Sequence, residues 1–313
     1  MTSALNVVFM GTPGFAVPSL EALVQAGHRV SLVVTQPDRP RGRGRRLEPP
    51  AVKTAAMEAG IAVIQPEALS RPETNAAIAD SGPDVIVVVA FGRILRPRML
   101  EIARLGAVNV HGSLLPKYRG PAPIQWAIIE GEAETGITTM KMDPGLDTGD
   151  ILLAAKTPIG PTETAADLHD RLAVMGADLL VETLDGLSTG TLEPIPQDHD
   201  RSTYAPMLTK ADGRLDWNRP APELNAFIRG MTPWPGAFTR AGDQRLKVFA
   251  SEPLDVTTDA PAGTVIRGFA DELRVATGRG VLSILEIQGA SGKRMAIRDF
   301  LMGAKLPPGT VLS

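Results

Sequence analysis

The chain has 313 residues, of which 43% are hydrophobic and 21% are charged, and its formal net charge is -3. This length and composition are typical of a globular protein with two domains. The absence of cysteine excludes disulfides, thiolate catalysis, iron–sulfur clusters and cysteine-based zinc sites. The four histidines (His28, His111, His169 and His199) show no metal-ligand spacing, so we expect no bound metal.

Nothing in the sequence predicts a membrane segment. No apolar stretch approaches the roughly 18 residues that cross a bilayer. The first residues lack the basic region that begins a secretory signal. We therefore expect a cytoplasmic protein that does not bind membranes.

Short β-branched apolar runs alternate with helix-compatible segments in the first half of the chain. The predicted strands are Leu5–Met10, Arg29–Val34, Ala62–Ile64, Val85–Ala90, Ala107–Val110, Thr138–Met142 and Ile151–Ala155. The predicted helices are Pro18–Ala26, Ala51–Ala59, Pro72–Ala79 and Thr164–Leu187. Apolar strands alternating with helices indicate a parallel sheet buried on both faces. We predict a doubly wound, mostly parallel α/β domain over residues 1–189.

The rest of the chain changes character. Residues 190–208 contain three prolines and little periodicity, and we interpret them as a linker. One amphipathic segment, Ala221–Arg229, follows. Short strands are then predicted at Ala237–Thr239, Leu246–Ala250, Gly263–Ile266, Leu273–Ala276, Val281–Ile287 and Met295–Ile297. Short strands at regular spacing predict a small, OB-like β-barrel over residues 209–313.

A dense run of arginines interrupts the first half. Five arginines occupy the eight positions from Arg39 to Arg46, within a basic loop at 36–50. Residues 1–208 otherwise hold an acidic excess, with 18 Lys and Arg against 24 Asp and Glu in all. Guanidinium groups match phosphates bidentately, so RNA binding is one interpretation. A flexible surface loop and a targeting signal are the alternatives.

The turn after the first predicted strand resembles a nucleotide-binding loop only superficially. Residues 11–14 read Gly-Thr-Pro-Gly, which is not the G-x-G-x-x-G fingerprint. Pro13 and Pro18 remove backbone N–H groups that a phosphate cradle uses. We predict a tight strand-to-helix turn there and no nucleotide site.

Asn109 and His111 lie two residues apart where the predicted strand Ala107–Val110 ends. On an extended strand both side chains leave from the same face. An amide donor beside an imidazole can stabilise an oxyanion. The alternative is that Asn109 bonds a neighbouring turn and His111 is a structural histidine.

Three carboxylates follow in the polar, turn-rich segment 143–150, between two predicted strands. One of them can orient the imidazole or relay a proton. A tight turn with solvated carboxylates is the other interpretation. A calcium loop of the EF-hand type is excluded, because its alternating oxygens and distal glutamate are absent. The spacing alone does not choose between the two interpretations.

Residues 109–123, which read NVHGSLLPKYRGPAP, resemble the signature of the formyltetrahydrofolate-dependent formyltransferases. Residues 142–151 resemble the second signature loop of that family. The likeness runs nearly end to end. It is closest to the family members that act on initiator methionyl-tRNA, through residues 35–40 and residues 233–238.

This resemblance implies specific residue roles. It implies a catalytic trio of Asn109, His111 and Asp147. It implies folate contacts at Ser113, Leu114, Leu115 and Pro116, and a pterin pocket lined mainly by the backbone of Arg93, Ile94 and Leu95. It implies that Arg41, Arg43, Arg45 and Arg46 contact the tRNA acceptor end, with Arg43 the best match to the family's key arginine. The C-terminal barrel would support tRNA binding.

The resemblance also implies a reaction. The α-amine of methionine on initiator methionyl-tRNA would attack the formyl carbon of 10-formyltetrahydrofolate, so translation could begin with formylmethionine. No covalent enzyme intermediate is needed, which agrees with a chain without cysteine. We expect a monomer that binds folate and tRNA and uses no metal.

Four alternatives remain. Glycinamide ribonucleotide formyltransferases are usually shorter and carry a different first loop. Sugar-nucleotide formyltransferases share the central motif and a second domain, and formyltetrahydrofolate hydrolases transfer to water. Neither has a reason to carry five arginines near the active site, whereas a phosphate-rich RNA acceptor does. A non-enzymatic RNA-binding module on a degenerate α/β platform is the fourth, and saturable folate binding would discriminate against it.

Overall fold

A seven-stranded sheet forms the centre of the first of two units in the computed structural model of the chain. The structure describes residues 4–41, 44, 46–266, 271–289 and 292–313. The first unit comprises Met1–Pro123, Glu134–Thr157 and His169–Ala205. The second comprises Ile124–Ala133, Pro158–Leu168 and Pro206–Ser313.

The first nine strands and six helices alternate along the chain up to residue 189. The strands are β1 (Asn6–Gly11), β2 (Arg29–Val34), β3 (Arg39–Arg41), β4 (Arg46–Glu48), β5 (Val63–Ile64), β6 (Val85–Val89), β7 (Ala107–His111), β8 (Glu134–Lys141) and β9 (Ile151–Pro158). The helices are α1 (Val17–Gln25), α2 (Ala51–Glu58), α3 (Pro72–Asp80), α4 (Pro97–Leu100), α5 (Pro123–Ile129) and α6 (Ala165–Thr189). A short 3-10 turn joins β1 to α1, as the tight-turn prediction required.

The order of strands in the large sheet is β5-β2-β1-β6-β7-β8-β9. The pairs from β5 to β7 are parallel, and β7 pairs with β8 in antiparallel orientation. The prediction of a doubly wound, mostly parallel sheet is therefore confirmed. Because β6 and β7 are adjacent and parallel, the segments that follow them leave from the same edge of the sheet.

The centre of this sheet is buried on both faces. All five residues of β6, which read VIVVV, are buried, and this is why the strand lacks the alternation of a half-exposed strand. On one face, Met10, Val34 and Val88 join a cluster that also contains Phe91 and Leu95. The residues just beyond β6 are thus part of the core, which fixes the loop that begins there.

The ends of the arginine run pair with each other. Strands β3 and β4 form an antiparallel hairpin in which Arg39 lies opposite Glu48 and Arg41 opposite Arg46. The two arms of the run are therefore paired strands and not irregular loop. Gly42, Arg43 and Arg45 lie outside the described residues.

The second unit is built around an antiparallel sheet. Its strands are β10 (Ala237–Ala241), β11 (Gln244–Leu254), β12 (Leu273–Ala276), β13 (Val281–Gln288) and β14 (Met295–Ala296). Its helices are α7 (Ala221–Met231) and α8 (Ile297–Gly303). The strand order is β10-β11-β13-β12, and β14 pairs with β13.

Two irregular segments close this sheet on itself. Val265 bridges to Val275 of β12, Thr264 bridges to Val311, and Leu312 bridges to Ala241 of β10. The C-terminal residues therefore complete a barrel, which confirms the predicted architecture. Closure removes the free strand edges that would otherwise expose unpaired backbone groups.

Two of the predicted C-terminal strands need correction. Gly263–Ile266 forms single bridges to two neighbours rather than a regular strand, because each neighbour contacts it over too short a length to build a ladder. The predicted strand Met295–Ile297 is two residues long and continues directly into α8 at Ile297. Phe300 and Ile297 are the buried residues of that helix, so its apolar side chains favour packing of a helix there.

The compact units divide the chain at other residues than the predicted domain boundaries. Residues 190–205, part of the predicted linker, belong to the first unit, whereas Ile124–Ala133 and Pro158–Leu168 belong to the second. No helix within the described residues is both long and apolar enough to cross a membrane.

His28 is a buried histidine that follows α1. Its Nδ1 accepts a hydrogen bond from the Leu5 backbone N–H at 3.2 Å. Its Nε2 is buried and has no hydrogen-bond partner among the described residues. Burial lowers the pKa of this imidazole, and the charge of Asp185 opposes that shift. The fold therefore favours the neutral ring.

We predict that His28 makes the fold less stable as the pH falls. Its pKa in the folded chain is below the unfolded value of 6.5. Below pH 6.5 the unfolded chain protonates this imidazole more readily than the folded chain does. The contribution of His28 to the free energy of unfolding is therefore fully present above that pH and declines as the pH falls. One such group changes the free energy of unfolding by at most about 1.4 kcal/mol per pH unit. Urea titrations of the wild type and His28→Gln between pH 5 and pH 8 measure it. The variant should show a shallower acid slope, and equal slopes would contradict the prediction.

Candidate active site

His111 is the last residue of β7 and lies at the carboxyl edge of the large sheet. Its side chain is 6% exposed. The ring nitrogen Nε2 lies 2.9 Å from the carbonyl oxygen of Tyr118, and a carbonyl accepts only from a protonated nitrogen. The other nitrogen, Nδ1, faces the Asp147 Oδ2 at 3.8 Å. The Tyr118 contact thus fixes the tautomer, and Nδ1 is the nitrogen left for chemistry.

Asp147 is the carboxylate of segment 143–150 that faces the imidazole. Its Oδ2 accepts a hydrogen bond from the Gly120 backbone N–H at 2.8 Å. Asp143 instead stabilises the turn, because its Oδ1 accepts hydrogen bonds from the Gly145 N–H at 3.0 Å and from the Thr148 hydroxyl at 2.7 Å. The structure therefore separates a turn-forming carboxylate from one that is aimed at His111, which the spacing alone left open.

Two glycines let the Asp147 loop pack closely. A Cβ at Gly145 would overlap the Thr148 hydroxyl, and a Cβ at Gly149 would overlap the carbonyl oxygen of Lys141. The Lys141 N–H also donates to the Asp150 carbonyl at 2.9 Å. The loop is thus held against the end of β8.

Asn109 lies two residues before His111 on the same face of β7. Its side chain is half-buried and forms no hydrogen bond to any other residue in the part of the chain that the structure describes. The alternative in which Asn109 bonds a neighbouring turn is therefore not observed. The amide remains an unused donor beside the imidazole.

Residues 113–116 are hydrogen-bonded to Thr138 in the middle of β8. The Ser113 hydroxyl donates to the Lys117 carbonyl at 2.6 Å. Thr138 joins the segment twice, since its hydroxyl donates to the Ser113 carbonyl at 2.7 Å and accepts from the Leu115 N–H at 3.1 Å. Ser113 and Leu115 are buried, whereas Leu114 and Pro116 are partly exposed. The Ser113 hydroxyl therefore stabilises its own loop through the hydrogen bond to Lys117.

The loop after β6 divides the three predicted pterin-pocket residues. Leu95 is buried in the core, and Ile94 is 78% exposed. The Arg93 guanidinium turns away to donate to the carbonyls of Pro66 and Glu67. Of these three side chains, Ile94 is thus the exposed one, and the pterin contacts remain a prediction.

The base of the β3–β4 hairpin is joined to the same loop. The Arg39 guanidinium donates to the Gln36 Oε1 at 2.6 Å. The Gln36 Nε2 donates in turn to the Phe91 carbonyl at 2.8 Å. Among the predicted RNA-contacting arginines, Arg46 is exposed in β4 and Arg41 lies in β3. Arg43 and Arg45 lie outside the described residues.

Backbone strain concentrates around these segments. Among the described residues, the non-glycine residues with positive φ are Ala90, Tyr118 and Asp147, at 45°, 59° and 53°. They follow β6, follow β7 and join β8 to β9, respectively. Such conformations cost about 1 to 3 kcal/mol each and persist where surrounding contacts enforce them. Ala90 follows a strand that ends at the carboxyl edge, and Tyr118 and Asp147 both contact the His111 ring, which makes this region a candidate active site.

Sequence reasoning missed Gln197, which it assigned to the linker. This buried side chain donates to the carbonyls of Asp147 and Gly149 at 3.0 and 2.7 Å. It also accepts from the Arg119 guanidinium. No signal in the proline-rich segment 190–208 distinguishes it, because its partners are about 50 and 78 residues away. Within the described part of the chain, no group of three or more His, Asp or Glu residues could hold a metal.

Comparison with known proteins establishes the family. Residues 5–184 match the formyl transferase family, and residues 207–305 match the formyl transferase C-terminal domain. The chain belongs to the formyl transferase family.

Two curated relatives are similar over nearly their whole length. The chain is 51% identical over 309 residues to a methionyl-tRNA formyltransferase of Desulfotalea psychrophila, covering 99% of this chain and 96% of the relative. It is 50% identical over 310 residues to a methionyl-tRNA formyltransferase of Citrifermentans bemidjiense, covering 99% and 97%.

Solved structures share the fold at low sequence identity. An N-formyltransferase from Helicobacter canadensis, in complex with folinic acid and dTDP-3-aminofucose, aligns with a TM-score of 0.67 at 20% identity, covering 93% of this chain and all of the other. HypX from Aquifex aeolicus, in complex with tetrahydrofolic acid, aligns with a TM-score of 0.64 at 17% identity, covering 98% of this chain and 49% of the other.

Proposed function

We propose that the protein transfers the formyl group of 10-formyltetrahydrofolate to the α-amine of methionine on initiator methionyl-tRNA. The observation that carries this proposal is the placement of His111 against Asp147 beside the unused Asn109 amide. The near full-length relatives at about 50% identity support the choice of acceptor. As an enzyme of translation initiation, it would act in the cytoplasm, where initiator tRNA is charged.

The arrangement suits direct attack by the amine. The amine nitrogen bonds to the formyl carbon and gives a tetrahedral intermediate with one oxyanion. With Nε2 held by the Tyr118 carbonyl, a doubly protonated His111 presents its Nδ1–H to that oxygen, and Asn109 presents its amide. The nearby Asp147 carboxylate balances the imidazolium charge.

The same carboxylate can carry the proton that moves during transfer. Oδ2 of Asp147 is occupied by the Gly120 N–H, while Oδ1 accepts no hydrogen bond from any described residue. Oδ1 takes the proton that the attacking amine loses and returns it to N10 as the carbon–N10 bond breaks. The products are the formylated methionyl-tRNA and tetrahydrofolate, with no proton gained or lost overall.

The donor would lie against the two loops that follow β6 and β7. Ile94 offers an exposed apolar side chain, and the Phe91 carbonyl accepts hydrogen bonds from the side chains of Gln36 and Thr12. Leu114 and Pro116 are partly exposed beside the catalytic strand. Apolar contacts with a few fixed backbone groups suit a flat ring such as the pterin.

The acceptor tRNA would use two basic surfaces. The first is the β3–β4 hairpin with its arginines. The second lies on the barrel, where Arg240 pairs opposite Arg245 across β10 and β11 and Lys247 follows on the same face. The Arg245 guanidinium stacks on the Phe238 ring at 3.6 Å. Phe238 is buried, so this surface would bind RNA through contacts between its basic side chains and phosphates.

We predict that the purified protein moves labelled formyl from 10-formyltetrahydrofolate to charged initiator methionyl-tRNA. An amino-sugar nucleotide, offered in parallel, should remain unlabelled, because a sugar acceptor gives no reason for an arginine hairpin. Transfer to the sugar alone would overturn the acceptor assignment and leave the catalytic residues in place. Binding of methionyl-tRNA with neither formyl transfer nor saturable folate binding would favour the RNA-binding module.

We predict that His111→Ala lowers turnover about a hundredfold or more. Loss of one oxyanion donor typically costs about 3 kcal/mol of transition-state stabilisation. Single-turnover formylation measures the loss, and fluorescence titration with a folate analogue should show that donor binding survives. Near-normal turnover in the folded variant would remove His111 from the proposed chemistry.

We predict that Arg43→Glu weakens tRNA formylation and leaves folate affinity unchanged. Removal of one phosphate contact should reduce the slope of log affinity against log salt by about 1. Binding of methionyl-tRNA at several salt concentrations measures this slope, and Arg46→Glu in β4 provides the companion variant. An unchanged slope together with unchanged kcat/KM for tRNA would exclude the hairpin from RNA binding.

A further inference from the structure

Gln197 uses its whole amide to connect two segments of the first unit. Its Nε2 donates to the carbonyl oxygens of Asp147 at 3.0 Å and Gly149 at 2.7 Å. Its Oε1 accepts from Nε of Arg119 at 3.1 Å and from Nη2 at 2.7 Å. The side chain is 6% exposed. Two donors and two acceptor sites are therefore all satisfied in a buried position.

The same contacts hold Asp147 from two directions. Gln197 binds the backbone on either side of Thr148, at Asp147 and Gly149. Gly120, the neighbour of Arg119, donates its N–H to the Asp147 carboxylate. Arg119 thus lies next to one contact of Asp147 and hydrogen-bonds to the residue that makes the other.

The segment that carries Gln197 is itself fixed to the first unit. Ile195 pairs with Ile151 in both directions at 2.8 Å. Arg119 donates its backbone N–H to Thr203 and accepts from Ala205. Residues 195–205 therefore form a strap joined to the start of β9 at one end and to Arg119 at the other, with Gln197 in between.

We propose that Gln197 is a positioning residue that holds the Asp147 carboxylate against His111. This proposal rests on the roles proposed above for those two residues. Asp147 adopts φ 53°, a conformation that a non-glycine residue keeps only when its surroundings enforce it. The Gln197 amide supplies that enforcement, because it holds the backbone carbonyl of Asp147 and the next carbonyl but one.

The requirement is for an amide rather than for any polar group. A glutamate at position 197 would still accept from Arg119, but it would turn an oxygen towards the carbonyls of Asp147 and Gly149. Two facing acceptors repel each other, so the loop would move away. Gln197→Glu therefore separates the two halves of the contact: it keeps the Arg119 half and breaks the Asp147 half.

The test is a double-mutant cycle with Asp147→Asn. We expect Gln197→Glu to lower the single-turnover rate about tenfold or more, since displacement of a catalytic group by 1 Å can cost a hundredfold. We expect unchanged affinity for a folate analogue. In the Asp147→Asn background, Gln197→Glu should lower the rate no further. The pH–rate profile of the single variant Gln197→Glu should approach that of Asp147→Asn.

Matched variants keep the test decisive. Asn75→Asp makes the same amide-to-carboxylate change in α3, where an Nδ2 donates to the carbonyls of Leu69 and Arg71, and it should leave the rate unchanged. Gln197→Met removes the donors without adding charge, and covers the case in which Gln197→Glu unfolds. Thermal unfolding of each variant reports whether it folds.

The outcomes separate the two proposals. If Asp147→Asn formylates at the wild-type rate, the proposed role of Asp147 fails. If Asp147→Asn is impaired but the Gln197 variants keep the wild-type rate, the positioning role alone fails. The positioning role also fails if the Gln197 substitutions lower the rate by the same factor in the wild type and in Asp147→Asn. A merely structural residue would act independently of Asp147.

Discussion

The hydrogen bond between Nε2 of His111 and the carbonyl of Tyr118 is the contact on which the proposed chemistry of the site depends. It decides which nitrogen carries a proton in the neutral ring and which nitrogen faces Asp147. Tyr118 adopts a positive φ of 59°, so the orientation of this carbonyl is maintained by a strained turn. Residues 203–205 fix this turn, because they form backbone hydrogen bonds to Arg119. Backbone groups and the Thr203 hydroxyl, which accepts a hydrogen bond from the Tyr118 N–H, together support the imidazole.

The buried sheet explains why the polar residues gather at one edge. Both faces of β6 and its neighbours are covered by apolar side chains, so polar groups within the strands would lose water without gaining partners. The carboxyl edge is where the chain leaves the sheet and its polar groups regain access to solvent. Asn109 and His111 at the end of β7, and the loop after β6, meet there because adjacent parallel strands end together.

The two units solve the problem of strand edges differently. The large sheet ends at β5 on one side and β9 on the other, and Ile151 at the start of β9 pairs with Ile195. In the second sheet, residues 263–266 and 310–313 connect β12 to β10 through single bridges. In both units, segments without regular secondary structure complete the hydrogen bonding of a sheet. Proline-rich or glycine-rich segments can therefore have a defined structural role even where they lack periodicity.

The sequence by itself determined the sheet, the barrel and the residue types of the site. The apolar runs predicted β6 and β7 closely, since burial on both faces leaves a clear composition signal, and Asn109 and His111 could be placed on one face from their spacing. The arms of the arginine hairpin were missed because segments of three residues that read RPR and RLE carry no apolar strand signal. Only the tertiary structure decided which carboxylate of segment 143–150 faces His111, that Ser113 bonds its own loop, and that Gln197 supports Asp147. Each of these depends on hydrogen bonds between residues distant in the chain, and the energy of such a bond depends on geometry that no local pattern encodes.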